Sequence, residues 1–310
     1  MHGNLVTGIL LSVTAAILWG VSGTFGQFLF QEREINVEWM ITIRMTCSGL
    51  LLLVISLLRK DIEIFTVFKD RKDAFQLGLF SITGMLMVQY TYFAAIKHSN
   101  AATATVLQYV GPVLIAAFLA IKYRRWPRTS ELLALTLAMT GTFLLVTHGQ
   151  IGTLSISRPA LLFGLASAVA LAIYTLQPIP LIQKYPPTMV IGWAMLGGGL
   201  IFWFVQPPWN VSGDWDFYTY LFTSLIIVFG TLIPFTMYLY AVRLIGGQKA
   251  SLLASAEPLA ATLLAVYWLH TSFTLLDWIG SICIVSTVFL LSREDKVSNR
   301  GFRGRFRKLA

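Results

Sequence analysis

The stretch GQKASLLASAEPLAATLLAVYWL, residues 247–269, decides the fold of this chain. An α-helix needs about 20 mostly apolar residues to cross a bilayer, so the stretch predicts a transmembrane helix. Near its middle it carries one ionisable side chain, Glu257, which is followed directly by Pro258. A carboxylate at that depth is costly, and such residues commonly serve a function. Glu257 is therefore the first candidate site residue.

The pattern of this stretch occurs twice, at a distance of 146 residues. At that offset residues 92–145 align without a gap onto residues 238–291. Residues of special chemistry keep their register: Pro112 with Pro258, Tyr92 with Tyr238, Lys97 with Arg243, and Glu131 with Asp277. Chance does not readily preserve prolines, basic turns and acidic helix starts together, so we infer an internal duplication. Gly111 stands at the place of Glu257, and the charge therefore belongs to the second copy alone.

The composition is that of a polytopic membrane protein. Of the 310 residues, 56% are hydrophobic and only 12% are charged, and the mean hydropathy is +0.72. Soluble proteins carry about 25% charged residues. The net charge of +9 comes from basic residues clustered between apolar stretches, which argues against a nucleic-acid partner. Both cysteines, Cys47 and Cys283, lie inside apolar stretches, so no disulfide framework is expected.

The apolar stretches predict an all-α membrane protein with ten transmembrane helices in two inverted five-helix repeats. The predicted spans lie near residues 7–30, 37–58, 74–96, 100–121, 130–148, 159–181, 188–206, 217–242, 249–269 and 273–292. Residues 1–148 would form the first repeat, residues 159–292 the second, and residues 293–310 a basic cytoplasmic tail.

Basic residues determine the expected orientation of the spans. Most of the 23 lysines and arginines fall in alternate connections and in the tail, and the positive-inside rule places those segments in the cytoplasm. Both termini are then cytoplasmic. Since five is an odd number, the two repeats would cross the membrane in opposite directions. Secondary transporters built from such inverted repeats bind their substrate near the membrane midplane, between the repeats.

Several motifs resemble the ten-helix drug/metabolite transporter superfamily, in its EamA branch. The residues that carry the resemblance are Ala15-Ala16-Ile17-Leu18-Trp19-Gly20, Arg44, the hairpin from Ala94 to Pro112, Ala256-Glu257-Pro258-Leu259 and Gly280. The resemblance covers essentially the whole chain. It implies a carrier that moves amino acids, other small metabolites or drugs, commonly outward. One departure is Gln27, because many members have a basic residue at the end of the first helix.

Two charged residues inside the predicted spans are candidates for substrate binding. Glu257 could bind a substrate ammonium group or carry a coupling proton. Alternatively, it is a structural carboxyl that bonds to backbone near Pro258 or pairs with Arg44. Arg44 lies about 10 Å from the outer end of the second span. It could hold a substrate carboxylate in a bidentate contact, or it could link helices or reach to the interface as a structural arginine.

Aromatic and amide side chains form the other set of candidates. Buried amides, indoles and phenols need polar partners, which a cavity can supply. The set comprises Trp19, Gln89, Tyr92, Gln108, Tyr109, Tyr174, Gln177, Trp193 and Tyr238. Together with Arg44 and Glu257, all except Tyr109 and Trp193 are predicted to bind substrate. Each could instead pack between helices, but as a group they predict an aromatic-walled cavity, with Trp19, Tyr174 and Glu257 on its border.

These observations favour a secondary active transporter that moves a small metabolite across the cytoplasmic membrane by alternating access, in the direction of export. Its expected partners are a small-molecule substrate, a coupling proton and the lipid bilayer, with no nucleic acid, cofactor or metal. The histidines His148 and His270 have no metal-ligand company in the sequence. The alternatives are a channel and an intramembrane enzyme. A channel would be expected to show polar rings along a pore, and an enzyme would need a nucleophile–base pair or a metal cluster.

Overall fold

The computed structural model describes residues 2–58, 64–124, 126–147 and 157–260, together with residues 263, 274–276, 278–287 and 290. The described residues contain helices and connections, and no strand occurs among them. Helices dominate because a backbone in lipid must satisfy its polar groups within its own segment. We refer to the described residues up to 147 as the first half and to those from 157 as the second half.

The first half begins with two uninterrupted helices, α1 (His2–Gln31) and α2 (Val37–Leu58). A short 3-10 helix follows at Thr66–Lys69. The remaining helices of this half are α3 (Arg71–Phe80), α4 (Met87–His98), α5 (Ala101–Gln108), α6 (Gly111–Tyr123) and α7 (Thr129–Thr147). Only two residues separate α4 from α5, which confirms the tight hairpin turn predicted there.

The second half begins with α8 (Arg158–Leu176) and α9 (Ile179–Lys184), which are separated by a turn at Gln177 and Pro178. The helices that follow are α10 (Pro187–Phe202), α11 (Phe217–Ile227), α12 (Ile233–Ile245), α13 (Gly247–Leu253) and α14 (Trp278–Thr287). Between α13 and α14 the described chain is helical again at residues 256–260.

Two π-helical segments lie in equivalent places of the two halves. The first, π1 (Ser81–Leu86), joins α3 to α4, and the second, π2 (Val228–Leu232), joins α11 to α12. At the offset of 146 residues, π1 falls on residues 227–232 and therefore coincides with π2. A π turn widens the helix, and such turns frequently occur at functional sites.

Two helix breaks also correspond between the halves. The helix of α5 is interrupted at residues 109–110 before it resumes in α6, and the helix of α13 is interrupted at residues 254–255. Under the same offset these breaks differ by one position. Each precedes a proline, Pro112 or Pro258, which lacks a backbone donor and disturbs the turn before it.

In the part of the chain that the structure describes, six helices are long and apolar enough to cross a membrane: Asn4–Gln31, Val37–Leu58, Arg71–His98, Thr103–Tyr123, Arg158–Lys184 and Phe217–Ile245. They correspond to predicted spans one to four, six and eight. Three shorter apolar helices, Thr129–Leu144, Pro187–Phe202 and Trp278–Thr287, fall on predicted spans five, seven and ten. Part of the ninth span, the histidines at 148 and 270 and the tail at 293–310 lie outside the described residues. The count of ten spans stays a prediction.

The halves pack through corresponding helix pairs. In each half the first span contacts the third span of the other half: α1 packs against α12, and α8 packs against α4. The helices α2 and α10, which fall on the second predicted span of each half, pack against each other. This last crossing is close, because a Cβ atom added to Gly49 would lie 2.5 Å from the backbone nitrogen of Leu196. Small residues allow helix backbones to approach in this way.

Candidate functional site

A cavity lies between helices of both halves. Its walls are mostly apolar and aromatic, with a few polar groups, which is the usual character of a small-molecule site. The lining residues are Trp19, Ser22, Gly23, Arg44, Val88, Gln89, Tyr92, Phe93, Gln108, Tyr109, Pro112, Leu171, Tyr174, Phe235, Ser251, Ala254 and Glu257. Both helix breaks contribute to these walls, through Tyr109 and Ala254.

The structure brings seven of the nine predicted site residues together in this one cavity: Trp19, Arg44, Gln89, Tyr92, Gln108, Tyr174 and Glu257. They come from six different helical segments of the chain. The other two predicted residues do not line the cavity. Tyr238 lies directly behind its wall, fully buried, with its ring 5.2 Å from that of Trp19 and 5.6 Å from that of Tyr174.

Gln177 is placed elsewhere by the break between α8 and α9. Its side-chain Oε1 accepts a hydrogen bond of 3.0 Å from the hydroxyl of Thr83, and it borders a separate groove between α6 and α8. Trp193, a member of the wider aromatic set, is also distant from the cavity wall. Its indole nitrogen donates to the carbonyl of Ile64 at 2.7 Å, so it anchors the connection that follows α2.

Glu257 is 5% exposed and is held by a hydroxyl of the first half. The phenol of Tyr92 donates to Oε1 of Glu257 at 3.1 Å, and the same phenol oxygen lies 2.9 Å from the hydroxyl of Thr105. Thr105 in turn donates to the carbonyl of Ala101 at 2.7 Å. A chain of three oxygen–oxygen contacts therefore runs from the carboxyl into α5.

This chain of contacts is sensitive to the proton of Glu257. Three contacts require three hydrogen atoms, whereas the hydroxyls of Tyr92 and Thr105 supply one each. A protonated carboxyl supplies the third hydrogen, and all three contacts are then hydrogen bonds. An ionised carboxyl leaves two hydrogens for three contacts, so one of them is lost. The carboxyl of Glu257 bonds to Tyr92 and does not form the ion pair with Arg44 that the sequence offered as an alternative.

Arg44 is 3% exposed and joins α2 to π2. Its Nε donates to the hydroxyl of Thr231 at 2.8 Å, and its Nη2 donates to the carbonyl of Gly230 at 3.2 Å. The guanidinium also lies 4.3 Å from the ring centre of Phe93, within cation–π distance. Within the described part of the chain, Nη1 has no hydrogen-bond acceptor. Arg44 thus has a structural contact and a remaining donor group at the cavity.

The two helix breaks contact each other through Tyr109. Its hydroxyl donates to the backbone carbonyl of Ala254, which lies at the break of the second half. The same carbonyl also accepts from the backbone N–H of Glu257 at 2.9 Å, so the phenol adds a second hydrogen bond to it across the interface between the halves. Tyr109 was placed in the aromatic set by its sequence but was not predicted to bind substrate.

Three buried polar atoms of the lining have no hydrogen-bond partner among the described residues: Nε1 of Trp19, Oγ of Ser22 and Oε1 of Gln89. A buried polar group without a partner costs free energy, so these atoms favour a polar occupant of the cavity. Sequence reasoning missed Ser22. Helical spacing could have found it, because Ser22 and Gly23 follow Trp19 at three and four positions and share its helix face.

The sequence profile of the EamA-like transporter family matches residues 6–147 and 158–293, which make up most of the chain. This chain belongs to the EamA-like transporter family. The resemblance that the motifs indicated is thereby confirmed. With its membrane-spanning helices, this EamA-like protein is a multi-pass membrane protein of a transporter family.

Proteins that match this chain over nearly their whole length are named as transporters. The "Uncharacterized inner membrane transporter YicL" of Salmonella typhimurium (strain LT2) is 42% identical over 298 residues, which cover 95% of this chain and 98% of that protein. The "Uncharacterized transporter YwfM" of Bacillus subtilis (strain 168) is 24% identical over 300 residues, covering 96% of each. A solved crystal structure shares the fold, with a TM-score of 0.74 at 18% identity over 92% of this chain and 96% of that one.

Proposed function

We propose that this EamA-like protein is a secondary active transporter that moves a small polar metabolite by alternating access. The observation that carries the proposal is a cavity lined by both halves, in which the acid Glu257 and the base Arg44 meet aromatic walls. A carboxylate and a guanidinium suit a substrate with an ammonium and a carboxyl group, such as an amino acid or a related compound.

The proposal includes the architecture that the sequence predicts. Ten spans would form two inverted repeats, residues 1–148 and 159–292, with the substrate site near the midplane. The coincidence of π1 with π2 and the exchanged helix pairs support a duplication. The positive-inside rule supports cytoplasmic termini, and the inner-membrane name of the Salmonella relative supports a location in the cytoplasmic membrane. Export is the direction that the family resemblance implies.

A proton is the coupling ion that we propose. The contacts of Glu257 with Tyr92 and Thr105 gain a hydrogen bond when the carboxyl is protonated. A substrate cation that displaces this proton would link substrate movement to proton movement in the opposite direction. Of the nine proposed substrate-binding residues, seven line the cavity, whereas Tyr238 lies behind its wall and Gln177 borders a separate groove.

A counterflow screen in proteoliposomes tests the function. Liposomes loaded with an unlabelled compound are diluted into a trace of the labelled one, for amino acids, quaternary amines, nucleosides and drugs, with and without a pH gradient. A carrier gives transient accumulation that saturates and depends on internal substrate. Uptake that neither saturates nor needs internal substrate would indicate a channel, and chemical conversion of the compound would indicate an enzyme. No accumulation for any class would refute the proposal.

A further inference from the structure

Among the described residues, ion pairs join the two halves at two places, which we call the first and the second latch. In the first latch, Nη2 of Arg33 lies 2.9 Å from Oδ2 of Asp216. In the second latch, Nζ of Lys184 contacts a carboxylate oxygen of Asp73 and lies 3.5 Å from Oδ2 of Asp70. Tyr185 supports the second latch, since its hydroxyl donates to the same Asp73 oxygen at 2.7 Å. In both latches the cation and its acid come from different halves.

The acids of the two latches are equivalent residues of the duplication. Asp70 and Asp216 are separated by the same 146 residues as the aligned repeats. Each is the N-cap of its helix: Asp70 accepts from the backbone N–H of Lys72 at the start of α3, and Asp216 accepts from that of Thr219 at the start of α11. N-terminal positions of helices favour negatively charged side chains, and both acids occupy such a position.

The cations follow the same rule. Arg33 comes just after α1, the first span of its half, and Lys184 ends α9, which completes the first span of the other half. In each case the end of a first span is tied to the beginning of the third span in the opposite half. The chain therefore builds one type of contact twice, with the roles of the halves exchanged.

The two latches lie on opposite sides of the cavity. Arg33 precedes α2 and Asp70 follows it, and the 22 residues of α2 correspond to about 33 Å at 1.5 Å per residue. Arg44, which lines the cavity, lies between these ends. The latched spans also form the cavity walls, through Trp19 of α1 and Tyr174 of α8.

We propose that the two latches are the gates of the cavity, each closing the access from its own side of the membrane. This inference rests on the alternating-access function proposed above. An exposed ion pair changes a two-state population by only about 1.4- to 5-fold, so such a pair can hold a gate and still release it in every cycle. Both latches are formed together in this structure.

The test measures access to the cavity from each side. A cysteine replaces Ser22 of the lining, in a protein whose native Cys47 and Cys283 are changed to alanine. An impermeant maleimide labels this cysteine in right-side-out and in inverted vesicles. We expect Arg33→Gln to increase the labelling rate from the side that carries Arg33, by a factor of up to about five, and Lys184→Gln to do so from the opposite side.

Matched variants separate a latch from a general loosening. Asp214→Asn removes an acid two residues before Asp216 without removing a latch partner, and it should label like the parent protein. Arg33→Lys and Lys184→Arg keep the charge and should restore most of the parent labelling pattern. Because each latch pairs an exposed residue with one that is exposed or half-buried, none of these changes is expected to prevent folding, and thermal melting in detergent checks this.

The outcomes distinguish the latches from the function itself. The gates are supported if Arg33→Gln increases labelling from the side that carries Arg33 and Lys184→Gln increases it from the other side. The gate proposal would be overturned, even if counterflow occurs, by either of two results. Both variants could change the labelling rate from the same side, or neither could change it although the protein melts like the parent. Opposite labelling changes without counterflow of any compound class would preserve the gates and refute the transport function.

Discussion

Replacing Glu257 by glutamine should leave the protein folded and inserted while it severely reduces transport. The reason lies in the hydrogen atoms around the carboxyl. A glutamine amide can donate to the phenol of Tyr92, which can then donate to Thr105, as a protonated carboxyl would. Glutamine therefore preserves all three contacts of the chain but can neither ionise nor release a proton.

The expected magnitudes differ between stability and transport. A typical hydrogen bond contributes about 1 kcal/mol, so Glu257→Gln should change the free energy of unfolding by less than that amount. Glu257→Leu loses the bond to Tyr92 and should cost about 1 kcal/mol more. If the carboxylate binds a substrate ammonium, the lost charged hydrogen bond is worth about 1.5–3 kcal/mol, which weakens binding by about 10- to 150-fold.

The assay combines substrate binding with proteoliposome flux across pH values about one to two units on either side of neutrality. If Glu257 carries the coupling proton, binding survives better in Glu257→Gln than gradient-driven accumulation does. If it binds an ammonium group, binding and accumulation fall together. Glu131→Gln is the control, because Glu131 is also buried but caps the start of α7 instead of lining the cavity. Normal flux in folded Glu257→Gln protein would refute a transport role for this carboxyl.

Three further predictions concern packing, the helix breaks and one latch. Gly49→Ala should lower the melting temperature in detergent, as overpacking costs about 1–3 kcal/mol, whereas Gly78→Ala, with open space around it, should not; equal melting would contradict the close crossing. Tyr109→Phe should cost about 1 kcal/mol by removing its hydrogen bond to the Ala254 carbonyl; unchanged melting would refute this contribution. The Thr219 backbone N–H, the Thr219 hydroxyl and the Arg33 guanidinium lower the pKa of Asp216. The ionised Asp216 therefore stabilises the protein above about pH 3.9, and this stabilisation is lost as the pH falls through the lower pKa of the folded state. The difference in melting temperature between the parent protein and Asp216→Asn should accordingly shrink below about pH 4. A difference that grows there would contradict the prediction.

The sequence predicted most of the cavity because lipid restricts where polar side chains can lie. Inside a membrane a carboxyl, a guanidinium or an amide must face protein or water. That such residues lie near one another can therefore be predicted without knowing how the helices pack. The duplication contributed the hairpins, since their basic turns and prolines stay in register. This reasoning does not separate a residue that lines a cavity from one that packs behind the wall or beside a helix break. For that reason it included Tyr238 and Gln177, which do not line the cavity.

The π segments and the latches could not be predicted in the same way. An α-helix and a helix with one π turn contain the same kinds of apolar residues, and nothing in the composition of residues 81–86 or 228–232 distinguishes the two. The equivalent position of the two π segments is therefore a feature of the three-dimensional structure and not of the sequence pattern. The latches join residues that are more than a hundred positions apart, and hydropathy carries no information on such pairings.

The position that Gly111 and Glu257 share at the 146-residue offset explains why only one acid occurs among the described residues that line the cavity. A side chain at Gly111 would meet α8 at once, because an added Cβ atom would lie 3.0 Å from Cδ2 of Leu171 and 3.2 Å from the carbonyl of Ala168. In the second half the equivalent residue instead reaches the phenol of Tyr92. One copy thus uses this position for close helix packing, and the other uses it to place a carboxyl. Because the first-half position is filled by packing, an exchange of the two residues would cost the contact of α6 with α8 without creating a second acidic site.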